Sequence, residues 1–324
     1  MMLARSVEHI FWLGRYLERL DDTARLVNAT SHLLIDSHKD TEFGWPVLLD
    51  VMGLDSAEVL ASYGLTAQNP AQLAQIEQAV MRYLISNNDS PISIRTACSQ
   101  LKYNARTIRQ LLPRDMWEEL NKLESFVQQH CLTPASRQQR YQLMTEISRR
   151  CQMVIGTVDS VMLRGDAFDL FTVGRHLERA DMVTRIMDVM VLQTLQPTQL
   201  KRPRFRWISI LNALGGVESY HYYLANNASG ANADAIDYLL SYADFPRSVS
   251  YCLNRVAASA KGLPDSPTIL QHVHQLQHLL NRQPLTDLST LQLHELIDQI
   301  QAGIIHLHQV LLGISLIEQQ QLTA

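Results

Sequence analysis

A twelve-residue charged segment occurs twice in this chain. Residues 14–25 read GRYLERLDDTAR and residues 174–185 read GRHLERADMVTR, a spacing of 160 residues. Seven of the twelve positions are identical, and the five charged positions among them keep their residue type. Such a repeat requires the same local structure at two places in the chain, so it constrains the fold more than any other feature of the sequence.

The rest of the chain carries weaker matches in the same order. They pair residues 45–53 with 207–215 and residues 91–94 with 246–249. Since the spacing is close to half of the 324 residues, it is too long for a solenoid repeat. We predict two copies of one multi-helix unit, residues 1–160 and 161–324, packed as one body with pseudo-two-fold symmetry.

Helix-forming residues dominate the sequence, and helix breakers are scarce. The 13 glycines and 11 prolines are a small fraction of the 324 residues, and no segment alternates between polar and apolar residues as a strand does. Long helical patterns run from about residue 3 to 36 and from about 166 to 195. We therefore predict an all-α fold, an internally duplicated multi-helix bundle around these two long central helices.

Charge and hydropathy exclude several classes of protein. The formal net charge of −4 argues against a general nucleic-acid-binding protein. No run of about 18 uncharged apolar residues exists, so we expect no transmembrane helix and no membrane partner. The four cysteines form no Cys-x-x-Cys pair, and the charged N-terminus is unlike a secretory signal. We expect reduced cysteines in a cytoplasmic protein.

On a helical wheel the repeated segment separates into an apolar and a charged face. In the first copy the apolar face holds Leu13, Leu17, Leu20 and Ala24, and the other face holds Gly14, Arg15, Glu18, Asp21 and Arg25. The second copy repeats this arrangement. Glu18 and its equivalent Glu178 are candidates for acid–base catalysis. The other charged residues of the two faces are candidates for ligand or partner binding: Arg15, Arg19, Asp21, Arg25, Arg175, Arg179, Asp181 and Arg185.

Three interpretations of the charged face are open. It could be a solvated face with i,i+4 ion pairs, Asp21–Arg25 and Asp181–Arg185, each stabilising the helix by about 0.3–0.5 kcal/mol. It could be a buried ion network that fixes how the halves dock, or a site for a charged ligand. A mid-helix glycine costs about 1 kcal/mol relative to alanine, so its presence in both copies favours a buried face in close backbone contact. Of the two buried alternatives, we favour the structural network.

Several segments resemble the bacterial alpha-E domain family. Its opening signature is similar to residues 3–19, LARSVEHIFWLGRYLER, and its second signature is similar to residues 171–181, FTVGRHLERAD. Leu20 stands where alanine is expected, and Phe11 stands where tyrosine is more usual. Further family segments resemble residues 104–109, 117–121 and 245–249. The resemblance covers nearly the whole chain.

Two arginines in these further segments, Arg106 and Arg247, join the candidates for ligand or partner binding. The family has no established biochemical activity. Its members are typically encoded beside, or fused to, a circularly permuted ATP-grasp protein, often with a transglutaminase-like protein nearby. ATP-grasp enzymes activate carboxylates as acyl phosphates and join them to amines. The resemblance therefore implies an accessory subunit in the formation or modification of peptide-like amide bonds, with a peptide or amino acid as substrate.

Motifs for a self-contained catalytic or nucleotide site are missing from the sequence. It contains no Walker A, Gly-x-Gly-x-x-Gly, Gly-x-Ser-x-Gly or His-Glu-x-x-His pattern. We expect no cofactor and no metal of its own, because its histidines are scattered. Two alternatives to the accessory subunit stay open. One is an acyl- or aminoacyl-transferring enzyme with Glu18 or Glu178 as base and the arginines as anion clamps. The other is a purely structural helical scaffold.

Overall fold

The computed structural model describes residues 4–36, 44–67, 69–131, 136–195, 203–227, 231–282 and 284–322. Within these residues the chain forms fourteen α-helices and no strand, which confirms the predicted all-α class. The first seven helices are α1 (Ala4–Asp36), α2 (Val47–Val51), α3 (Ser56–Ser62), α4 (Leu73–Met81), α5 (Ile94–Thr107), α6 (Arg114–His130) and α7 (Arg137–Val161).

The second set begins with the other long helix that carries the repeated segment. These seven helices are α8 (Asp166–Leu195), α9 (Pro203–Ala213), α10 (Val217–Asn227), α11 (Ala231–Leu240), α12 (Val249–Ala260), α13 (Ser266–Asn281) and α14 (Thr290–Leu322). Short 3-10 turns span Pro70–Gln72, Arg109–Leu111 and Leu285–Asp287, and a π-helical turn spans Arg82–Ser86.

Helices α1 and α8 form the centre of the molecule and pack against each other more extensively than any other pair. Helices α5 and α7 pack on α1, and α12 and α14 pack on α8. Helix α6 packs on α5 and α7, while α13 packs on α12 and α14. The arrangement around α1 therefore repeats around α8. That the chain arose by duplication, and that it divides at residue 160, stay predictions.

The apolar side of the repeated segment forms the core, as the wheel predicts. Leu17 and Leu20 on α1 and Leu177 and Ala180 on α8 are all fully buried. Complete burial of a leucine side chain contributes roughly 1.5–3 kcal/mol relative to exposure. The two central helices therefore have strong reason to stay together even before their charged residues are considered.

The weakest of the sequence matches has a local explanation. Residues 91–94 and 246–249 share a serine, and each serine is the N-cap of the helix that follows it. The Ser93 hydroxyl accepts a hydrogen bond from the backbone N–H of Thr96, and the Ser248 hydroxyl accepts one from Tyr251. An N-cap of this kind contributes about 1 kcal/mol to helix stability and fixes where α5 and α12 begin.

The four cysteines are buried and unpaired in the described chain. Burial raises the pKa of each thiol above its usual value, so these groups stay protonated and behave as small apolar side chains. Among the described helices, none is both long and apolar enough to cross a bilayer.

Candidate functional site

The glycines of the repeated segment let the backbones of α1 and α8 touch. A methyl group placed on Gly14 would lie 2.3 Å from the carbonyl oxygen of Phe171, and one on Gly174 would lie 2.1 Å from that of Phe11. Both distances are far below van der Waals contact, so any side chain at either position would force the helices apart. The predicted close backbone approach is confirmed, and it is reciprocal between the two helices.

Beside these glycines, the glutamate of each helix binds the arginine of the other. The Glu18 carboxylate accepts hydrogen bonds from Nε and Nη2 of Arg179, at 2.6 and 2.9 Å. The Glu178 carboxylate accepts them from Nε and Nη2 of Arg19, at 2.5 and 3.0 Å. Such two-pronged guanidinium–carboxylate pairs are among the strongest side-chain contacts. The two Glu-Arg dipeptides therefore join α1 and α8 by two crossed ion pairs, each between the glutamate of one helix and the arginine of the other.

Two charged clusters surround these crossed pairs, and both are largely buried. The Glu18 centre comprises Glu18, Asp21, Asp22, Arg25, Arg175, Arg179 and Arg247. The Glu178 centre comprises Glu178, Asp181, Arg15, Arg19 and Arg185. This burial excludes the solvated-face interpretation for the glutamates and for the aspartates of both centres.

Arg247 links the Glu18 centre to the start of α12. Its Nη1 lies 2.5 Å from Asp22 and 3.2 Å from Glu18, and its Nη2 lies 2.7 Å from Asp21. A hydroxyl from α7 also enters, because Ser148 donates to the Asp21 carboxylate. A single guanidinium thus bridges three carboxylates, which would otherwise repel one another in a medium of low polarity.

The Glu178 centre is closed by aromatic and imidazole rings where the Glu18 centre has Arg247. Arg15 donates to Glu178 at 2.6 Å and to Nδ1 of His308 at 3.1 Å, and it lies over the ring of Trp12. Arg19 lies over the ring of Tyr16. Burial, reinforced by the charge of Arg15, lowers the pKa of His308 to about 4. His308 is therefore neutral near neutral pH, and its Nδ1 accepts a hydrogen bond from Arg15.

The two glutamates are ionised over the whole ordinary pH range. Burial by itself raises the pKa of Glu18, but Arg179 and Arg247 outweigh it and hold that pKa at about 2. Burial likewise opposes ionisation of Glu178, and Arg15 and Arg19 hold its pKa at about 2. Because every oxygen of both carboxylates already faces guanidinium nitrogens, neither group is poised to accept a proton from a substrate.

Asp22 differs from the neighbouring carboxylates in its hydrogen bonding. Its Oδ1 accepts from Arg247, while its Oδ2 is buried with no hydrogen-bond partner among the described residues. Burial raises the pKa of Asp22 to about 7, Arg247 works against the rise, and the charges of Glu18 and Asp21 add to it. The Glu18 centre thus contains one carboxyl group that takes up a proton near neutrality.

The second repeated match places a glycine against an arginine in each half. The Arg25 side chain is bound to Asp21 through Nε, and its Nη1 lies 3.4 Å from where a methyl group on Gly215 would stand. Arg185 is bound to Asp181 in the same way, and its Nη1 would lie 2.3 Å from a methyl group on Gly53. Both glycines have positive φ, which glycine tolerates best. Asp21–Arg25 and Asp181–Arg185 are the predicted i,i+4 ion pairs, and both are present.

Not every candidate takes part equally. Arg175 approaches Glu18 only to 3.9 Å, and its Nε is buried without a hydrogen bond to any described residue. Arg106 lies on the exposed face of α5, outside both centres. Sequence reasoning missed Asp22, although its position four residues after Glu18 places it on the same face of α1. It also missed His308, whose position depends on how α14 packs.

Two groups of side chains in the described chain have the donor atoms for a cation. Glu18, Asp21 and Asp22 offer oxygens within 4.8 Å of one another, but Arg247 already bridges these oxygens. The other group is Asp188, His294 and Asp298, in which the histidine lies between the two carboxylates.

A small apolar cavity of about 30 Å³ lies between α1, α2, α8 and α9. Its volume is enough for about one water molecule. The residues that line it include Leu26, Val47, Ile186 and Ile210, and none of its lining residues belongs to the Glu18 or Glu178 centre.

The fold and the two centres define an all-α protein whose two central helices are joined by reciprocal glutamate–arginine pairs. The sequence model of the Alpha-E family, described as a predicted alpha-helical domain with a conserved ER motif, matches residues 2–312. The chain therefore belongs to the Alpha-E family. Its two Glu-Arg dipeptides, residues 18–19 and 178–179, are the crossed pairs.

Three uncharacterized mycobacterial proteins are similar to this chain. One from Mycobacterium bovis and one from Mycobacterium tuberculosis strain CDC 1551 are each 24% identical over 271 residues. A protein of Mycobacterium tuberculosis strain H37Rv is 23% identical over the same length. Each match covers 81% of this chain and 30% of the relative, so the chain spans less than a third of these relatives. No solved structure matches the chain.

Proposed function

We propose that this chain is a rigid accessory subunit of a circularly permuted ATP-grasp ligase, and that the pair forms or modifies peptide-like amide bonds in the cytoplasm. The ligase supplies the ATP chemistry. The helical bundle supplies a firm surface that holds the ligase and its peptide or amino-acid substrate, and a transglutaminase-like protein is a further candidate partner. The partner's identity comes from the family resemblance, and the accessory role is supported by the chemistry of the two centres.

The proposed accessory role rests on one observation: both glutamates are buried and fully paired with arginines. Glu18 and Glu178 are at most 2% exposed, and each has a pKa held at about 2 by paired arginines. A general base needs a pKa nearer the working pH and a path to the substrate. The same features suit a structural lock, in which removal of one partner is expected to cost about 3–5 kcal/mol. The alternative of a transferase that uses these glutamates is therefore less favoured.

The length of the relatives gives independent support. The matched region is 30% of each mycobacterial protein, so in those proteins the helical bundle is one part of a much longer chain. A module that occurs both beside and within larger proteins is expected to act together with other domains. This favours a role in assembly over a self-sufficient enzyme.

The test combines an activity assay with a binding assay. A circularly permuted ATP-grasp protein from the same organism is incubated with ATP and a pool of amino acids, with and without the chain, and release of ADP is measured. We expect the chain alone to be inactive, to bind the ligase in a pull-down, and to raise ADP release by the ligase at least several-fold. Transfer of acyl groups by the chain alone, or a ligase that neither binds nor responds to it, would contradict the proposal.

Variants separate a structural from a catalytic role of the glutamates. Glu18→Gln and Glu178→Gln each remove a charge from a buried ion pair, whereas Glu8→Gln removes one from an exposed position on the same helix α1. We expect both buried variants to melt well below the wild type, and the Glu8→Gln control to melt with it. Buried variants that melt normally yet abolish ADP release would favour the catalytic interpretation instead.

A further inference from the structure

Arg175 is the least satisfied charged group of the two centres. Its side chain is only 12% exposed, and its Nε is buried without a hydrogen-bond acceptor among the described residues. The nearest carboxylate oxygen, on Glu18, lies 3.9 Å from that nitrogen. A buried donor without an acceptor loses its hydration and gains nothing in return, so such groups in folded proteins need an explanation.

The Glu18 carboxylate is paired with two other arginines. Arg179 donates to both of its oxygens, and Arg247 lies 3.2 Å from Oε1. Arg175 lies 3.9 Å from Oε2, outside hydrogen-bond distance. The equivalent residue of the other centre, Arg15, shows the contrast, because it binds Glu178 and His308 and lies 3.6 Å from Asp181.

Arg175 is the one guanidinium of the Glu18 centre without a carboxylate of a described residue in hydrogen-bond distance. Arg25, Arg179 and Arg247 each bind one, whereas Arg175 lies 3.9 Å from Glu18. Burial lowers the pKa of Arg175, and the charge of Arg179 adds to that effect while Glu18 and Asp159 oppose it. An arginine nevertheless stays charged in proteins. The charge of Arg175 is therefore the least compensated in this centre.

We propose that Arg175 anchors an oxyanion-binding subsite at the edge of the Glu18 centre, which takes one carboxylate or phosphate group of a small-molecule ligand. A planar guanidinium matches both groups in shape and charge. Because Nε donates no hydrogen bond to a described residue and the nearest carboxylate oxygen is 3.9 Å away, the guanidinium turns toward an anion without breaking a hydrogen bond. The exposed carboxylate of Asp159, on α7, lies near enough to influence Arg175 and favours ligands with a single anionic group over those with several. The subsite does not depend on the ATP-grasp partnership.

The test is calorimetric titration of the chain with inorganic phosphate and, separately, with acetate, at an ionic strength held constant with sodium chloride. We expect saturable binding of at least one of the two anions by the wild type, and the two arms show which group is preferred. Arg175→Gln is expected to weaken that binding at least tenfold. Arg106→Gln removes an exposed arginine outside both centres and is expected to bind like the wild type.

Two results would overturn the subsite. One is equal affinity in the wild type and Arg175→Gln, which would place the anion elsewhere on the surface. The other is no saturable binding of either anion below about 10 mM, weaker than a specific contact of this kind provides. Should Arg175→Gln fail to fold, Arg175→Lys keeps the charge but loses the planar fork, and it is expected to bind more weakly than the wild type.

Discussion

The Glu18 and Glu178 centres start from the same residues and are completed in different ways. In the first, Arg247 reaches in from the start of α12 and bridges three carboxylates. In the second, Arg15 and Arg19 are enclosed by the rings of Trp12 and Tyr16. The two centres thus share the crossed glutamate–arginine pair and differ in the side chains that close the cluster.

The sequence differences between the centres come in a matched pair. Asp22 is replaced by Met182 at the position 160 residues further on, and Arg247 is replaced by Ile92 at the equivalent position before α5. Asp22 and Arg247 bind each other. The charge on one element thus accompanies the opposite charge on the other, which is expected when a lone buried charge is costly.

The largest expected effect comes from removing Arg247. Arg247→Ile leaves Asp22 without its partner and weakens the support of Asp21 and Glu18, so we expect the free energy of unfolding to fall by about 3–5 kcal/mol. Asp22→Met combined with Arg247→Ile restores the pair of residues that the other half carries. We expect the double variant to recover about 1–3 kcal/mol of that loss. Urea unfolding monitored by circular dichroism measures both values.

This double variant tests whether the two centres are interchangeable. With both changes, the Glu18 centre carries the residue types at these two positions that the Glu178 centre carries. A double variant no more stable than Arg247→Ile alone would break the comparison, because it would mean that the surrounding helices, and not the paired residues, decide how each centre is built. Asp22→Met alone, which leaves Arg247 with two carboxylates, is the remaining corner of the cycle.

The glycine contacts should give the next largest effect, and they should be equal in the two halves. Gly14→Ala and Gly174→Ala each place a methyl group against a backbone carbonyl oxygen of the opposite helix, so we expect each to lower the free energy of unfolding by about 3 kcal/mol. Gly156→Ala is the matched control, since this helical glycine on α7 has open space around it. It should raise stability by about 0.5–1 kcal/mol. Clearly unequal losses at Gly14 and Gly174 would mean that the helix contact is not reciprocal in energy.

A smaller effect distinguishes the two arginines that differ most between the centres. Arg15→Gln removes contacts with Glu178 and His308, whereas Arg175→Gln removes no hydrogen bond to a described residue. We expect Arg15→Gln to be the less stable variant by about 2 kcal/mol. Thermal unfolding in a buffer of sodium chloride and a zwitterionic buffering agent gives the comparison without phosphate or carboxylate anions. Equal losses would imply that Arg175 is held as firmly as Arg15.

Local sequence patterns predicted a large part of this arrangement. The helical pattern from about 166 to 195 coincides with α8, and the i,i+4 pairs Asp21–Arg25 and Asp181–Arg185 are present. Burial of the charged face and the close approach at the glycines also followed from residues that both copies keep. These features depend on helix periodicity and on short sequence distances, which a single chain displays directly.

The crossed pairing and the contents of each centre could not be predicted in the same way. Glu18 binds Arg179, 161 residues away, and Arg247 reaches Asp22 across 225 residues. These distances in sequence carry no periodic signal, because they depend on how α1 and α8 approach and on where α12 begins. Arg106 shows the converse error, in which a predicted site residue lies outside the site. It belongs to a segment that resembles the family, yet it is exposed and outside both centres.

The last prediction concerns the sign of a pH effect rather than its size. The folded-state pKa of Asp22 is raised from 3.8 to about 7, chiefly by burial. Its contribution to stability is therefore fully present below pH 3.8 and is lost as the pH rises through about 7. Asp22→Asn stays neutral throughout, so its stability relative to the wild type should increase between pH 5 and pH 8. Urea unfolding at both values measures this, with Asp89→Asn, in an exposed turn, as the control for loss of one carboxylate.

The outcome decides how similar the two centres are in charge. If Asp22→Asn gains on the wild type as the pH rises, Asp22 holds a proton in the folded protein and adds no negative charge to the Glu18 centre. The Glu178 centre has Met182 at the equivalent position. If the stability difference between the two proteins instead stays constant between pH 5 and pH 8, Asp22 exchanges no proton on folding over that range, and Arg247 keeps it ionised. The Glu18 centre would then differ from the Glu178 centre by one negative charge, on Asp22.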